Sequence, residues 1–425
     1  MRDRARSVFL VGVIVVVCSA LATGAATAGT SGSSAARATT VKMLVSTGVR
    51  VAFDAIIKNY ELAHPSVDIQ PTYVSNTQLG PLLATQLAAG NAPDVIYAQT
   101  GSGVLNGVIP LARAGHLASL DNRPWVKRVS PAAKPFVTVG SKIYAWPTDV
   151  NVVGIAYDKP MFAQMGLQQP KTFAQLLSMC RQVAGVGKSL FVLGARSDGL
   201  PSFAGLIGSV FGEPPSWYPK RAKGTVSFAS SKAWRSALQH VVAMKNAGCF
   251  QAHPESMSQS GAFAAFAAGQ APFLVAIPPN IASAKKLNPD LDAGMFPFPG
   301  DSPASTRMLA NWGSSLTVWA KSPVLQTAID IVDFFARQGQ SELLSKVNGT
   351  VSPRDWKLGI LPPTLSSFTS LYKSKRVVPN FKNSLVNEQT NQAFIQGITG
   401  LFTGQKNVDQ ILHDMDKAWE QGSAA

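Results

Sequence analysis

Charge is scarce in this 425-residue chain: Asp, Glu, Lys and Arg make up 14% of it, where ordinary soluble domains carry about a quarter. The surface therefore leans on Ser, Thr, Asn, Gln and Gly, side chains that hydrogen-bond neutral ligands without strong fields. Histidine is rarer still. His64, His116, His240, His253 and His413 are the only five, and none stands in metal-ligand spacing with another His or Cys. HExxH, paired CxxC, GxSxG and Walker patterns are all missing, and with them the common signatures of metal-assisted, nucleophilic and phosphoryl-transfer chemistry. The acidic pairs Asp290/Asp292 and Asp414/Asp416 sit in polar stretches and read as solvated faces rather than acid–base dyads. An enzyme of this length with no nucleophile, metal set or phosphate cradle is disfavoured, and neither metal nor cofactor is expected.

Acidic residues are the scarcer sign. The 38 Lys and Arg outnumber 23 Asp and Glu for a net charge of +15, which falls to +13 without Arg2, Arg4, Arg6 and Asp3. Such an excess suits anionic partners, yet the basic residues are scattered and their densest cluster, Lys373-Ser374-Lys375-Arg376, is short. With no Arg-rich arm and no RNP-like aromatic strand, nucleic acid is not an expected partner.

Long apolar runs are also lacking beyond the N-terminus. Residues 1–28 join a basic start (MRDRAR), the apolar run Ser7–Val17 and the small-residue end Ala26-Thr27-Ala28, the pattern of a secretory signal. The run is shorter than the roughly 20 residues that span a bilayer, so export is the expectation, to a periplasmic or cell-surface location. Residues 29–39 read as a flexible Ala/Gly/Ser/Thr linker. Cys18 leaves lipid anchoring open beside cleavage after Ala28: the tether suits a lipoprotein, but Val17 stands where a small residue belongs. Only Cys180 and Cys249 remain. They either pair in an oxidising compartment or stay two buried thiols. Asn348-Gly349-Thr350 matches a glycosylation sequon, a tripeptide common by chance.

What is present is apolar material for a large core, 46% of residues, on a chain long enough for two lobes. Val41–Ser46, Val67–Tyr73 and Asp94–Ala98 read as strands, with helices at Val51–His64 and Gln78–Ala89 between them. That alternation is the doubly wound α/β signature. A second α/β region follows, with helices at Phe173–Val183, Ser202–Phe211, Ser231–Ala247 and Gly261–Ala268. Its strands are Leu190–Gly194 and Gln270–Ile277, with Gly294–Pro299 extended. Helices at Gln326–Arg337 (Asp330 and Asp333 outward), Asn387–Phe402 and Val408–Gln421 complete the chain. The most informative stretch is Gly140–Leu167. Two short apolar strands, Ile143–Trp146 and Val152–Tyr157, are interrupted by Pro147, Thr148, Asp149 and Asn151, where one core strand would stay apolar. Gly154 adds flexibility. Polar residues at a strand crossing mark a hinge and a ligand cleft between lobes, and Leu309–Ala320 (LANWGSSLTVWA) is a second such crossing.

Five segments, in order, resemble the family 1 extracellular solute-binding proteins, the sugar-type receptors of ABC importers that include maltose-binding protein. They are Gln86–Tyr97 (QLAAGNAPDVIY), Gly140–Lys159, Met161–Leu177 (MFAQMGLQQPKTFAQLL), Gly261–Val275 (GAFAAFAAGQAPFLV) and Trp312–Pro323 (WGSSLTVWAKSP). The resemblance covers nearly the whole chain beyond the signal. It implies a two-lobed α/β periplasmic-binding-protein fold of class II type, with residues 40–150 and 312–366 in one lobe and 151–311 and 367–425 in the other. It further implies closure on a solute, delivery to ABC permease subunits, and action as a monomer.

Sugars present hydroxyl arrays and flat C–H faces, which amides, carboxylates, hydroxyls and indole rings recognise. Asp149 and Asn151 are the first candidates; Asn151 falls where maltose-binding protein has an acidic sugar contact, while Asp149 has bracing of the hinge as its competing role. Strand ends of the first lobe add Ser46, Thr47, Ser75, Asn76, Gln99 and Thr100. Trp312, Gly313 and Ser314 stand at the second crossing, where Trp312 is either a stacking ring or a core residue. Trp217, Asn280 and Arg354 are weaker candidates, Arg354 mattering most for an anionic solute. A polyol, glycerophosphodiester or other small anionic solute on the same fold is the alternative to a carbohydrate, and an extracellular enzyme is the third reading.

Overall fold

Apolar β-branched runs sort into two large sheets and one two-stranded sheet, with amphipathic helices packed on them, in the computed structural model, which describes residues 38–196 and 199–423. The expected signal segment, Cys18 and the linker up to residue 37 lie outside the described residues; Thr39, assigned above to the linker, already begins the first strand. In chain order the strands are Thr39–Ser46 (β1), Val67–Val74 (β2), Val95–Gln99 (β3), Thr138–Val139 (β4), Lys142–Ile143 (β5), Trp146–Pro147 (β6) and Asn151–Asp158 (β7). Phe191–Val192 (β8), Phe273–Ala276 (β9), Ala293–Phe296 (β10), Met308–Asn311 (β11), Ser314–Val318 (β12) and Val377–Val378 (β13) follow.

The first sheet has the order β2-β1-β3-β12-β6. Its β1, β2 and β3 are parallel, whereas β12 runs antiparallel to both neighbours. The helix Arg50–Ala63 buries Ala52, Phe53, Ile56, Ile57 and Tyr60, a stripe at the helical repeat. Phe53 meets Tyr97 edge-on at 5.8 Å and Phe335 at 4.9 Å, which ties the first helix to the late helix Leu325–Phe335. The chain thus leaves the first lobe and returns to complete its core.

The second sheet has the order β13-β11-β7-β9-β8, with β10 also on β7. One edge of β7 is shared: Asn151–Val153 pair with β11 and Ile155–Asp158 with β10. Gly154 sits at the handover, where a Cβ would come within 2.7 Å of the Phe296 carbonyl and the Phe368 ring. Close approach, rather than flexibility, explains this glycine. One face of the sheet carries a core built from Phe173, Phe203, Trp234, Phe273, Phe394 and Trp419. The other face is covered by Phe266, Ile281, Trp356, Leu365 and Phe368.

Several sequence expectations need correcting. Ile143–Trp146 is not one strand: Lys142–Ile143 turns back on β4, and Trp146–Pro147 pairs with β12. The helices Pro278–Leu287, Gln338–Asn348 and Pro353–Leu358 were not foreseen. Val351, Trp356 and Leu365, expected with the first lobe, pack on the second sheet, while the first core takes its last buried member at Leu344. Asp333 does not face water freely: it accepts from Trp125 Nε1 at 2.8 Å and pairs with Arg123. Asp416 likewise takes the Phe228 and Ala229 amides at 2.8 and 2.9 Å and lies 3.1 Å from Arg221.

Cys180, on the helix Phe173–Ala184, is disulfide-bonded to Cys249 across 69 residues. A loop of that length is worth about 4 kcal/mol on the entropic model. The bond pins that helix to the strand-side turn of the second lobe.

Candidate functional site

Three chain segments pass between the lobes, and backbone hydrogen bonds tie them together. The first, Thr148–Val150, joins β6 to β7; the second, Trp312–Gly313, joins β11 to β12; the third follows the helix Gln338–Asn348. Thr148 N donates to Ser314 O at 3.0 Å, and Val150 and Val351 exchange bonds at 2.8 and 3.0 Å. A hinge built from paired strands resists shear but allows rotation about the pairing axis.

Asp149 belongs to this hinge framework. It is 3% exposed and accepts from Thr148 Oγ1 at 2.8 Å. Burial pushes its carboxyl above the ordinary range, opposed by the Thr350 and Thr148 hydroxyls. Thr350 Oγ1 stands close enough to favour the charge but lacks an ideal hydrogen bond. Burial, with the Asp149 charge behind it, also holds the Tyr97 hydroxyl neutral. That hydroxyl meets Ser314 Oγ at 2.5 Å.

Beside the hinge, at the carboxyl end of β3, first-lobe residues 99–105 meet second-lobe residues 382–388 along a polar seam. Gln99 Oε1 accepts from Lys382 Nζ at 3.0 Å. Thr100 Oγ1 donates to the Trp312 carbonyl, Ser102 Oγ to the Leu385 carbonyl, and Leu105 N to Glu388 Oε2 at 2.7 Å. Asn383 Nδ2 bonds Asn311 Oδ1 at 2.9 Å and approaches Thr100 Oγ1 at 3.4 Å. Asn311 in turn is the strand partner of Asn151. Gly101 and Gly103 are required here, since a Cβ at either would strike the Asn383 or Lys382 backbone below 3 Å.

This amide cluster is incompletely satisfied. Asn151 Oδ1, Asn383 Oδ1 and Asn106 Nδ2 are buried without a hydrogen-bond partner among the described residues. Such atoms are rare in folded proteins, because each carries a desolvation cost of about 1–3 kcal/mol. Two acceptors and a donor at a junction between lobes suit a ligand rich in hydroxyl groups. Lys382 adds a cation, its pKa lowered to about 8 by burial and partly restored by Glu388.

A second concavity lies beyond the edge strand β6. It encloses about 330 Å³ and is lined by Trp125, Trp146 and Trp312, with Arg128, Glu342 and Arg354 among the polar groups. Arg354 is exposed and pairs with Glu342 at 3.1 Å. Trp312 is 4% exposed and meets Trp356 edge-on at 6.4 Å.

The structure therefore gathers Gln99, Thr100, Asp149, Asn151, Trp312, Gly313 and Ser314 around the hinge. The β1 and β2 ends are engaged locally: Ser46 Oγ accepts from Gly48 N at 3.2 Å, and Ser75 Oγ bonds Gln78 Oε1 at 3.0 Å. Thr47 and Asn76 are exposed. Three candidates lie elsewhere. Trp217 is a core residue against Tyr218 and Phe228, drawn inward by the turn after Pro214 and Pro215. Asn280 caps its helix through the Ile277 amide at 3.0 Å, and Arg354 borders the tryptophan cavity. Lys382, Asn383 and Asn311 escaped sequence reasoning. The polar run Asn380–Ser384, set between Val377-Val378 and a helix, was the available signal.

Two α/β lobes, a three-segment hinge and an unsatisfied polar seam between them define a protein that clasps a ligand. Its family follows from comparison. The model of the bacterial extracellular solute-binding proteins matches residues 46–342, and the chain belongs to that family. A multiple sugar-binding protein of Streptococcus mutans is 22% identical over 69% of this chain and 70% of its own length. Among solved structures, a raffinose complex of the solute-binding protein RafE superposes with a TM-score of 0.75 at 18% identity, covering 90% of this chain and 99% of that one. The GacH receptor of Streptomyces glaucescens gives 0.68 at 16% identity over 91% and 99%. These likenesses establish the two-lobed fold.

Proposed function

We propose that this protein is the exported receptor of an ABC importer and captures a carbohydrate in the seam beside the hinge. The observation that carries the reading is the pair of buried amide oxygens on Asn151 and Asn383 that find no partner among the described residues, Asn383 being bonded to Asn311, the strand partner of Asn151. Sugar hydroxyls donate to amide oxygens such as these. Proteins of similar structure bind such solutes: RafE is seen with raffinose and GacH with acarbose, and another is a chitin oligosaccharide binding protein.

Binding works by rotation at the hinge. With the seam apart, the amides of both lobes are hydrated. Solute bridging Asn151 on one side and the Gln99–Asn106 loop on the other favours the closed form, and its differential affinity for that form drives the shift. The closed receptor then docks on membrane permease subunits and releases its cargo unchanged, so no step of bond chemistry is assigned. The N-terminal segment directs export, with Cys18 as the candidate lipid anchor, and the receptor acts as a monomer.

A thermal-shift panel of mono- and oligosaccharides, polyols, glycerol phosphates and amino acids tests this. A true ligand at about a hundred times its dissociation constant adds about 2.7 kcal/mol of stability. Stabilisation by polyols, phosphodiesters or amino acids with none from any sugar would overturn the carbohydrate reading. Turnover of a panel member would overturn the receptor reading.

A further inference from the structure

We infer that the carbohydrate carries a carboxylate, as a uronic acid does, and that Lys382 is the residue that selects it. The inference rests on the seam being the carbohydrate site. An ammonium group has three donors. Lys382 uses one, toward the neutral Gln99 Oε1 at 3.0 Å, and no carboxylate stands within ion-pair distance of it among the described residues. The nearest acid that acts on it, Glu388, is already engaged: Leu105 N and Gln392 Nε2 donate to its two oxygens at 2.7 and 3.1 Å.

A half-buried ammonium facing only an amide is costly, since desolvation is offset only when the charge is matched. The same burial lowers its pKa to about 8, with Glu388 opposing the shift. A neutral sugar hydroxyl can accept one of the spare protons but leaves the charge uncompensated. A carboxylate accepts a hydrogen bond and also matches the charge. The neighbouring groups suit the rest of such a molecule: Asn383 follows Lys382 directly, and its unpartnered Oδ1 takes a ring hydroxyl. One lysine matches one carboxylate, whereas a phosphate dianion would leave charge over. The excess of basic over acidic residues acts at longer range in the same direction, steering anions toward the protein.

The test measures affinities by calorimetry near neutral pH for galactose, galacturonate, digalacturonate and galactose 6-phosphate. Wild-type protein should bind a uronate about tenfold or more tightly than its neutral counterpart, the worth of one charge-assisted contact. Lys382→Gln should bring that ratio close to one, and Lys382→Arg should keep most of it. Equal or tighter binding of the neutral sugar overturns the inference alone, as does a preference that survives in Lys382→Gln or one for the phosphate. Absence of binding by every sugar, acidic or neutral, overturns the carbohydrate reading and this inference with it.

Discussion

The hinge has two flanks, and they differ in what they leave unfinished. On the β3 side, amides and a lysine face one another with buried polar atoms lacking partners. On the β6 side, three indoles line an open cavity in which Arg354 pairs with Glu342 and Arg128 donates to the Ala336 carbonyl at 2.7 Å. An indole-lined cavity costs little when it stays empty of polar partners, because nothing in it demands a hydrogen bond. Unsatisfied amides do demand one. On the proposed reading, affinity belongs to the seam and stability to the tryptophan flank.

The sharpest way to break that contrast is at Trp312, which lines the cavity and is buried against Trp356. Trp312→Ala should cost about 3–5 kcal/mol of unfolding free energy in chemical denaturation. Solute affinity of the folded protein should stay within about threefold, since the Trp312 group that meets the seam is its carbonyl. A large affinity loss with intact stability would move the solute to the cavity. Next comes Asn151→Leu, which should weaken sugar binding by roughly ten- to a hundredfold through loss of one or two hydrogen bonds. Because Asn151 Oδ1 lacks a partner in the unliganded protein, its melting temperature should hold or rise.

A smaller effect is expected at Asp149, and its sign follows from linkage. The folded-state carboxyl is raised above its ordinary value of 3.8, so its contribution favours folding below that value and is lost as pH rises through the raised one. Asp149→Asn should therefore melt higher than wild type at neutral pH, with the difference vanishing in acid. A lower melting temperature at neutral pH would mean that the ionised carboxylate braces the hinge. Least of all should follow from Arg354→Ala. Its exposed ion pair is worth about 0–1 kcal/mol, and neither stability nor affinity should change measurably.

Much of the fold was legible because its signals are local. The alternation of VKMLVS, the Arg50–Ala63 stripe and DVIYA follows from side-chain period and β-branching, and those elements form near the expected positions. Polarity within apolar runs located both crossings, including Asp149, Asn151 and Ser314. What stayed illegible depends on long-range closure. Lys382 and Asn383 reach the seam because Gly101 and Gly103 let the Gln99–Leu105 loop pass against their backbone, with 283 positions between Gln99 and Lys382. Trp217 misled for the opposite reason. An exposed-looking Pro-rich loop, EPPSWYP, turns its aromatic residues into the core, and no local pattern distinguishes that from a stacking platform.

Amide hydrogen exchange with and without a saturating sugar tests the central claim most directly. The account predicts slowed exchange in residues 99–106 and 380–388, with residues 336–342 and 352–358 unchanged. Protection confined to those latter segments and to residues 125–130, leaving the seam as it was, would contradict it.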